Sequence, residues 1–168
     1  MRVVVFALVL LSTPLVAAEF TGKVVGVDDG DTIDVLHGRR PETVRLNGID
    51  CPETGQAYGA RAKEYTSRLV DGKDVRVIVE GRDSWGRTLA QVVTPDGTVL
   101  NRELVRVGLA WWYYSFAPKD RDLERFQAEA KAAGAGLWAD PHPMAPWFFR
   151  DVQSRKSLFP TPRPVRWK

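Results

Sequence analysis

Soft metal ligands are scarce in this 168-residue chain, which has one cysteine, Cys51, and two histidines, His37 and His142. A single cysteine cannot form an intrachain disulfide, so hydrophobic packing must hold the fold. One cysteine and two scattered histidines do not make a zinc site, and neither histidine has a second soft ligand at metal spacing. Long apolar runs are missing too. The stretch from Val3 to Leu11 is interrupted by Ser12, Thr13 and Pro14, too short for the roughly 20 residues of a spanning helix. No internal repeat or low-complexity tract is present. Nor is the body of the chain basic: residues 19–150 carry 18 basic and 20 acidic side chains, while residues 151–168 carry five basic and one acidic. The overall charge of +3 therefore resides in the tail and in Arg2. Net charge alone is a weak argument for a polyanionic partner.

What is present at the N-terminus is a positive charge at Arg2, the short apolar run, and small residues at Ala17 and Ala18. This is the pattern of a secretory signal peptide over residues 1–18, with cleavage between Ala18 and Glu19. It predicts a secreted or periplasmic protein with no stable membrane insertion after cleavage. No cysteine lies near the cut, which argues against a lipoprotein. About 150 residues then remain, enough for one domain with a sizeable core.

Apolar residues alternate loosely from Phe20 to Val27 and clearly at Val75, Val77 and Val79; Ile33 and Val35, Val44 and Leu46, and Leu89 to Val93 mark three more strands. Tyr58, Ala62, Tyr65 and Leu69 recur at helical spacing, and helices are also expected over Asn101 to Leu109 and Pro118 to Gly134. Five short strands with a helix after the third predict an α+β fold: a five-stranded OB-type Greek-key β-barrel with about three α-helices. The domain should span 19–150. The basic, Pro-rich tail, 151–168, reads equally as a solvated terminus or as an arm attracted to polyanions.

The most informative stretch runs from Asp28 to Glu53. Asp29-Gly30 is a turn signal, with Gly30 expected at positive φ. Alternation sets Arg45 on the face opposite Val44 and Leu46. Asp31, Asp50 and Glu53 supply oxygen ligands of the kind a hard cation prefers. A later turn, Arg82 to Gly86, ends in Arg87 just before an apolar run. Each residue alone fits an ordinary turn or a solvated strand; their combination does not.

An Asp-Gly-Asp-Thr turn, an Arg-Leu strand ending in Asp-Cys-Pro-Glu, and a later Trp-Gly-Arg follow one another in this order. From about Phe20 to Trp138 the chain thereby resembles the staphylococcal nuclease (thermonuclease) family. The resemblance implies a calcium-dependent phosphodiesterase acting on DNA and RNA with little sequence preference, expected to be a monomer. Asp31, Asp50 and the backbone carbonyl of Cys51 match the Ca²⁺ ligands, Glu53 the acid that handles the attacking water, and Arg45 and Arg87 the phosphate-gripping arginines. Trp85 stands where the family commonly has tyrosine, and Tyr114 matches a substrate-side tyrosine. Phe116 replaces another tyrosine, so a phosphate hydrogen bond is lost there. Two other classes stay open: a nucleic-acid-binding OB module that no longer cleaves, and a protein-interaction domain using the Trp-rich C-terminal region. The presence of all five catalytic and metal-binding side chains favours the enzyme.

Overall fold

Period-two patterning decides which face of each strand is buried, and five strands close on the resulting apolar faces. The computed structural model describes residues 18–158. The expected signal peptide, except for Ala18, and the tail beyond 158 lie outside the described residues. The barrel is built from β1 (Glu19–Val27), β2 (Thr32–His37), β3 (Arg40–Leu46), β5 (Asp74–Arg82) and β6 (Thr88–Val93), in the order β1-β2-β3-β6-β5. All neighbours are antiparallel except β3 and β6, which pair in parallel with Arg45 opposite Leu89. This is the expected OB-type barrel. Its interior is lined by Val24, Ile33, Val35, Val44, Leu46, Val75, Val77, Ala90 and Val92, all essentially inaccessible. Each fully buried Val, Leu or Ile contributes about 1.5–3 kcal/mol, and this core holds a chain whose one cysteine is buried and free.

Helix α1 (Gly59–Val70) buries Ala62, Thr66 and Val70 at four-residue spacing. Helix α2 (Leu100–Arg106) buries Leu100, Leu104 and Val105. Helix α3 (Arg121–Ala132) starts at Asp120, whose carboxylate accepts from the amides of Asp122 and Leu123, a standard N-cap. It buries Leu123 and Ala130 and ends at an exposed C-cap, Ala133. Three elements go beyond the sequence expectation. The dipeptides β4 (Ile49–Asp50) and β7 (Trp111–Trp112) pair antiparallel beside the barrel. A fourth helix, α4 (Pro146–Leu158), runs across position 150, where the tail was expected to begin. Its proline occupies the first turn, where a missing N–H costs nothing. It has no clear apolar stripe; it docks through Trp147, which stacks on Tyr113 and meets Trp111 edge-on. Among the described residues, no helix is long and apolar enough to cross a membrane.

Asn101 ties these layers together. Its side-chain oxygen accepts from Val92 N at 3.1 Å, and its amide nitrogen donates to the carbonyls of Asn47 and Ala90 at 2.9 and 3.0 Å. The residue is 2% exposed, so water cannot replace these bonds. Asn101→Ala should cost about 2–3 kcal/mol, because it strands the buried Val92 N–H and the Asn47 carbonyl, the Ala90 carbonyl keeping the Asn47 amide; urea denaturation with an unchanged m-value checks it.

Candidate active site

The polar cluster is assembled where the β1–β2 turn, the end of β3 and β4 meet. Asp31 N donates to the Asp29 carboxylate at 3.0 Å, and Leu46 N donates to the Asp31 carbonyl at 2.8 Å. The expectation of positive φ at Gly30 is overturned: Gly30 is absent from the glycines with that conformation. Close approach is the reason for glycine there. A Cβ on Gly30 would sit 2.8 Å from Ala62 Cβ and from both side-chain atoms of Cys51. Gly59 acts likewise, since its Cβ would lie 2.0 Å from the Glu53 carbonyl oxygen. Two glycines thus let the turn before Asp31 and the start of α1 close around the Cys51–Glu53 segment.

Arg45, on β3, stands between two carboxylates. Its Nη1 lies 2.6 Å from Asp31 Oδ1, and its Nη2 donates to Asp50 Oδ1 at 2.7 Å. Asp31 and Asp50 are 4% and 1% exposed. Nη1 is buried and makes no well-directed hydrogen bond despite the short contact, so Arg45 keeps one donor poorly satisfied. Burial pushes the Asp31 carboxyl up to about 8, the charges of Asp29 and Asp50 add to the rise, and Arg45 and the Cys51 amide pull against it. Cys51 N donates to Asp31 Oδ2 at 2.5 Å. Burial holds its thiol well above the ordinary range, so Cys51 enters the site through its backbone and its sulfur is inert.

Arg87 is placed by the Asp83 turn. One Asp83 oxygen accepts from the amides of Trp85 and Arg87 at 3.0 and 2.9 Å; the other accepts from Arg87 Nε at 2.7 Å. Burial alone would raise the Asp83 carboxyl, but the hydrogen bonds from Arg87 hold it below its ordinary value. The Trp85 ring lies 5.4 Å from the Arg87 guanidinium carbon and is 80% exposed.

A cleft of about 510 Å³ joins these groups: Asp29, Arg45, Glu53, Trp85, Arg87, Tyr113, Phe116 and Arg150 line it. The structure therefore gathers Arg45, Glu53, Arg87 and Trp85 on one cavity, with Asp31 and Asp50 held against Arg45. Tyr114 does not line the cleft. It is exposed and meets Trp112 edge-on, and Tyr113 takes the cleft position. Sequence reasoning also missed Arg150. This residue of α4 donates to Asp50 Oδ2 at 2.9 Å and to Glu53 Oε1 at 2.5 Å. The available signal was Pro146 followed by a proline-free run with Asp151 and Arg155 at helical spacing.

Among the described residues, no group of three or more His, Cys, Asp or Glu side chains is arranged to hold a metal ion. The expected Ca²⁺ set, two carboxylates and a carbonyl, does not need one. Its donors are all hard oxygens, and the two buried carboxylates share Arg45, one of whose donors lacks a well-directed partner. That chemistry fits a small hard cation whose other ligands are water.

The fold and the cleft define an OB-type barrel whose arginine-lined cavity borders buried acids. Comparison with known proteins narrows this. Residues 43–140 match the family model described as staphylococcal nuclease homologue. An uncharacterized endonuclease of Escherichia coli is 42% identical over 143 residues, covering 85% of this chain and 93% of the relative. A micrococcal nuclease of Shigella flexneri is 39% identical over 159 residues, covering 89% and 91%. An uncharacterized endonuclease of Haemophilus influenzae is 38% identical over 176 residues, covering 95% and 98%. The chain belongs to the staphylococcal nuclease family.

Asp31 makes stability pH-dependent in protein kept free of divalent ions. Between its ordinary value of 3.8 and about 8, the folded chain keeps a proton that the unfolded chain has lost. Stability from this group is thus complete below about pH 4, falls as pH rises, and is lost above about 8. Thermal melts in chelator should show this decline, and Asp31→Asn should flatten it relative to wild type.

Proposed function

We propose that the chain is an exported, calcium-dependent nuclease that hydrolyses phosphodiester bonds of DNA and RNA with little sequence specificity. One observation carries the reading: Arg45, held between the buried Asp31 and Asp50, shares a cleft with Glu53 and a second arginine, Arg87. Family membership and relatives named as nucleases support it. The signal-peptide pattern over residues 1–18 supports a secreted or periplasmic location, and the mature domain is taken to act as a monomer.

Hydrolysis needs a water activated beside the phosphorus, neutralisation of the charge that builds on the phosphoryl oxygens, and departure of an alkoxide. Glu53 sits on the cleft wall and accepts the proton of the attacking water. Arg87 presents its terminal nitrogens to the phosphoryl oxygens, because Asp83 engages it through Nε. Arg45 adds a second guanidinium on the same wall. Asp31, Asp50 and the Cys51 carbonyl are the donors that would hold Ca²⁺, which when bound supplies Lewis-acid charge at the phosphate. Trp85, exposed beside Arg87, offers a stacking face to a base or sugar. With no acceptor on its ring, it cannot replace a tyrosine's oxygen.

A plasmid-nicking assay on the full mature chain tests this, with Ca²⁺ and then with EGTA. Cleavage should appear with the ion and stop with the chelator; no cleavage under any divalent ion would favour a binding module. Arg87→Ala should lower kcat at least about 100-fold, the scale for losing a transition-state donor, with Ca²⁺ affinity unchanged. Asp31→Asn should fail differently, binding Ca²⁺ more weakly and regaining part of its rate at high Ca²⁺. Rescue of Arg87→Ala by Ca²⁺ without rescue of Asp31→Asn would reverse the two roles.

A further inference from the structure

Arg150 reaches the site from a helix anchored independently of its charge. Gln56 Nε2 donates to the Met144 carbonyl at 2.6 Å. Two residues into α4, Trp147 stacks on Tyr113 with ring centroids 5.1 Å apart and planes 8° from parallel, and it meets Trp111 edge-on at 5.6 Å. These contacts deliver the guanidinium to Asp50 and Glu53. Nη2 donates to Asp50 Oδ2 at 2.9 Å, while Nη1 lies 3.2 Å from Asp50 Oδ1 and 2.5 Å from Glu53 Oε1. Donors forked over two carboxylates are the strong form of arginine pairing. Asp50 Oδ1 therefore serves two guanidinium groups at once, those of Arg45 and Arg150.

The nuclease reading needs these same oxygens for other partners. A divalent cation needs Asp50, and the attacking water needs Glu53. A guanidinium and a dication cannot both occupy one carboxylate without repulsion in a poorly solvated site. We propose that Arg150 is a built-in counter-ion of the active site: it occupies Asp50 and Glu53 in the cation-free protein and must leave Asp50 for a divalent cation to bind. Helix α4 is then a latch on the site, and calcium affinity includes the work of displacing it. Arg150 also lines the cleft beside Arg45 and Arg87, so once displaced it stays next to the space a phosphate fills. The proposal rests on the calcium reading above.

Calorimetric titration of Ca²⁺ alone into the full mature chain tests the latch without reference to activity. Arg150→Ala and Arg150→Gln should tighten Ca²⁺ binding about tenfold, within the usual range for coupled equilibria. Arg155→Ala removes the same charge from the same helix, where Arg155 pairs with Asp151 at 3.0 Å. It should change affinity less than about twofold, since solvent and salt screen it. Circular dichroism establishes that each variant folds. Trp147→Ala, which frees α4 while keeping the guanidinium, provides a second route and should also tighten binding. Unchanged affinity in both Arg150 variants, or equal tightening in Arg155→Ala, overturns the latch and leaves the calcium reading standing. No Ca²⁺ binding by any of these proteins, wild type included, overturns both.

Discussion

Arg45 lies within 2.7 Å of both Asp31 and Asp50, and neither acid has appreciable contact with solvent. A buried ion pair gains little net stability, because desolvation offsets attraction; here burial also raises Asp31 to about 8, so part of the cost is met by a proton kept on that acid. The protein tolerates it because the barrel fixes all three groups before their charges are considered. Parallel pairing of β3 with β6 fixes Arg45, the Asp29 turn fixes Asp31, and the short β4–β7 ladder fixes Asp50. The donor of Arg45 left without a well-directed partner is not a packing error but the result of groups fixed by the barrel. Arg150 adds a second guanidinium against Asp50.

The two cleft arginines are held in opposite ways. Arg45 directs both terminal nitrogens at carboxylates, whereas Arg87 is engaged through Nε, with no terminal-nitrogen hydrogen bond among the described residues. Arg87 therefore meets an incoming phosphate with its donors already available and its turn already braced by Asp83. Arg45 can offer donors outward only as its hold on the acids relaxes. Equal guanidinium groups on one cleft wall are thus unequal in readiness, and that inequality comes from their neighbours rather than from residue type.

Local pattern carried most of the barrel. Alternation at Val75 and Val77, or at Val44 and Leu46 around Arg45, is dictated by a strand with one face in the core, so the fold class and the clustering of charged side chains along the Asp31–Glu53 stretch were legible. The missed features share another physics. β4 and β7 are two residues each and exist because they pair with one another, which no window on either reveals. Helix α4 docks by stacking one tryptophan on a tyrosine 34 positions earlier, so it lacks the apolar period that marks a helix packed by its face. Tyr113 rather than Tyr114 lines the cleft because register in a short ladder decides which of two adjacent rings turns inward. At Gly30 the constraint is contact with Cys51 and Ala62 rather than φ, and those partners become visible only once the chain folds.

Charge makes the same point at the scale of the site. With Asp31 keeping its proton up to about 8, the formal charges of Asp50 and Glu53 against Arg45 leave the cluster one short of neutral, and Arg150 supplies it. The body of the chain, mildly acidic overall, provides no general attractive field around it. Attraction for a polyanion must then come from a few guanidinium groups acting at contact distance, where screening is weak. A cation entering at Asp50 would both cancel the acids and release Arg150 toward the cleft. The cleft's three guanidinium groups would then face fewer uncompensated acids, so cation and substrate should favour each other's binding through an arginine that neither of them requires for its own geometry.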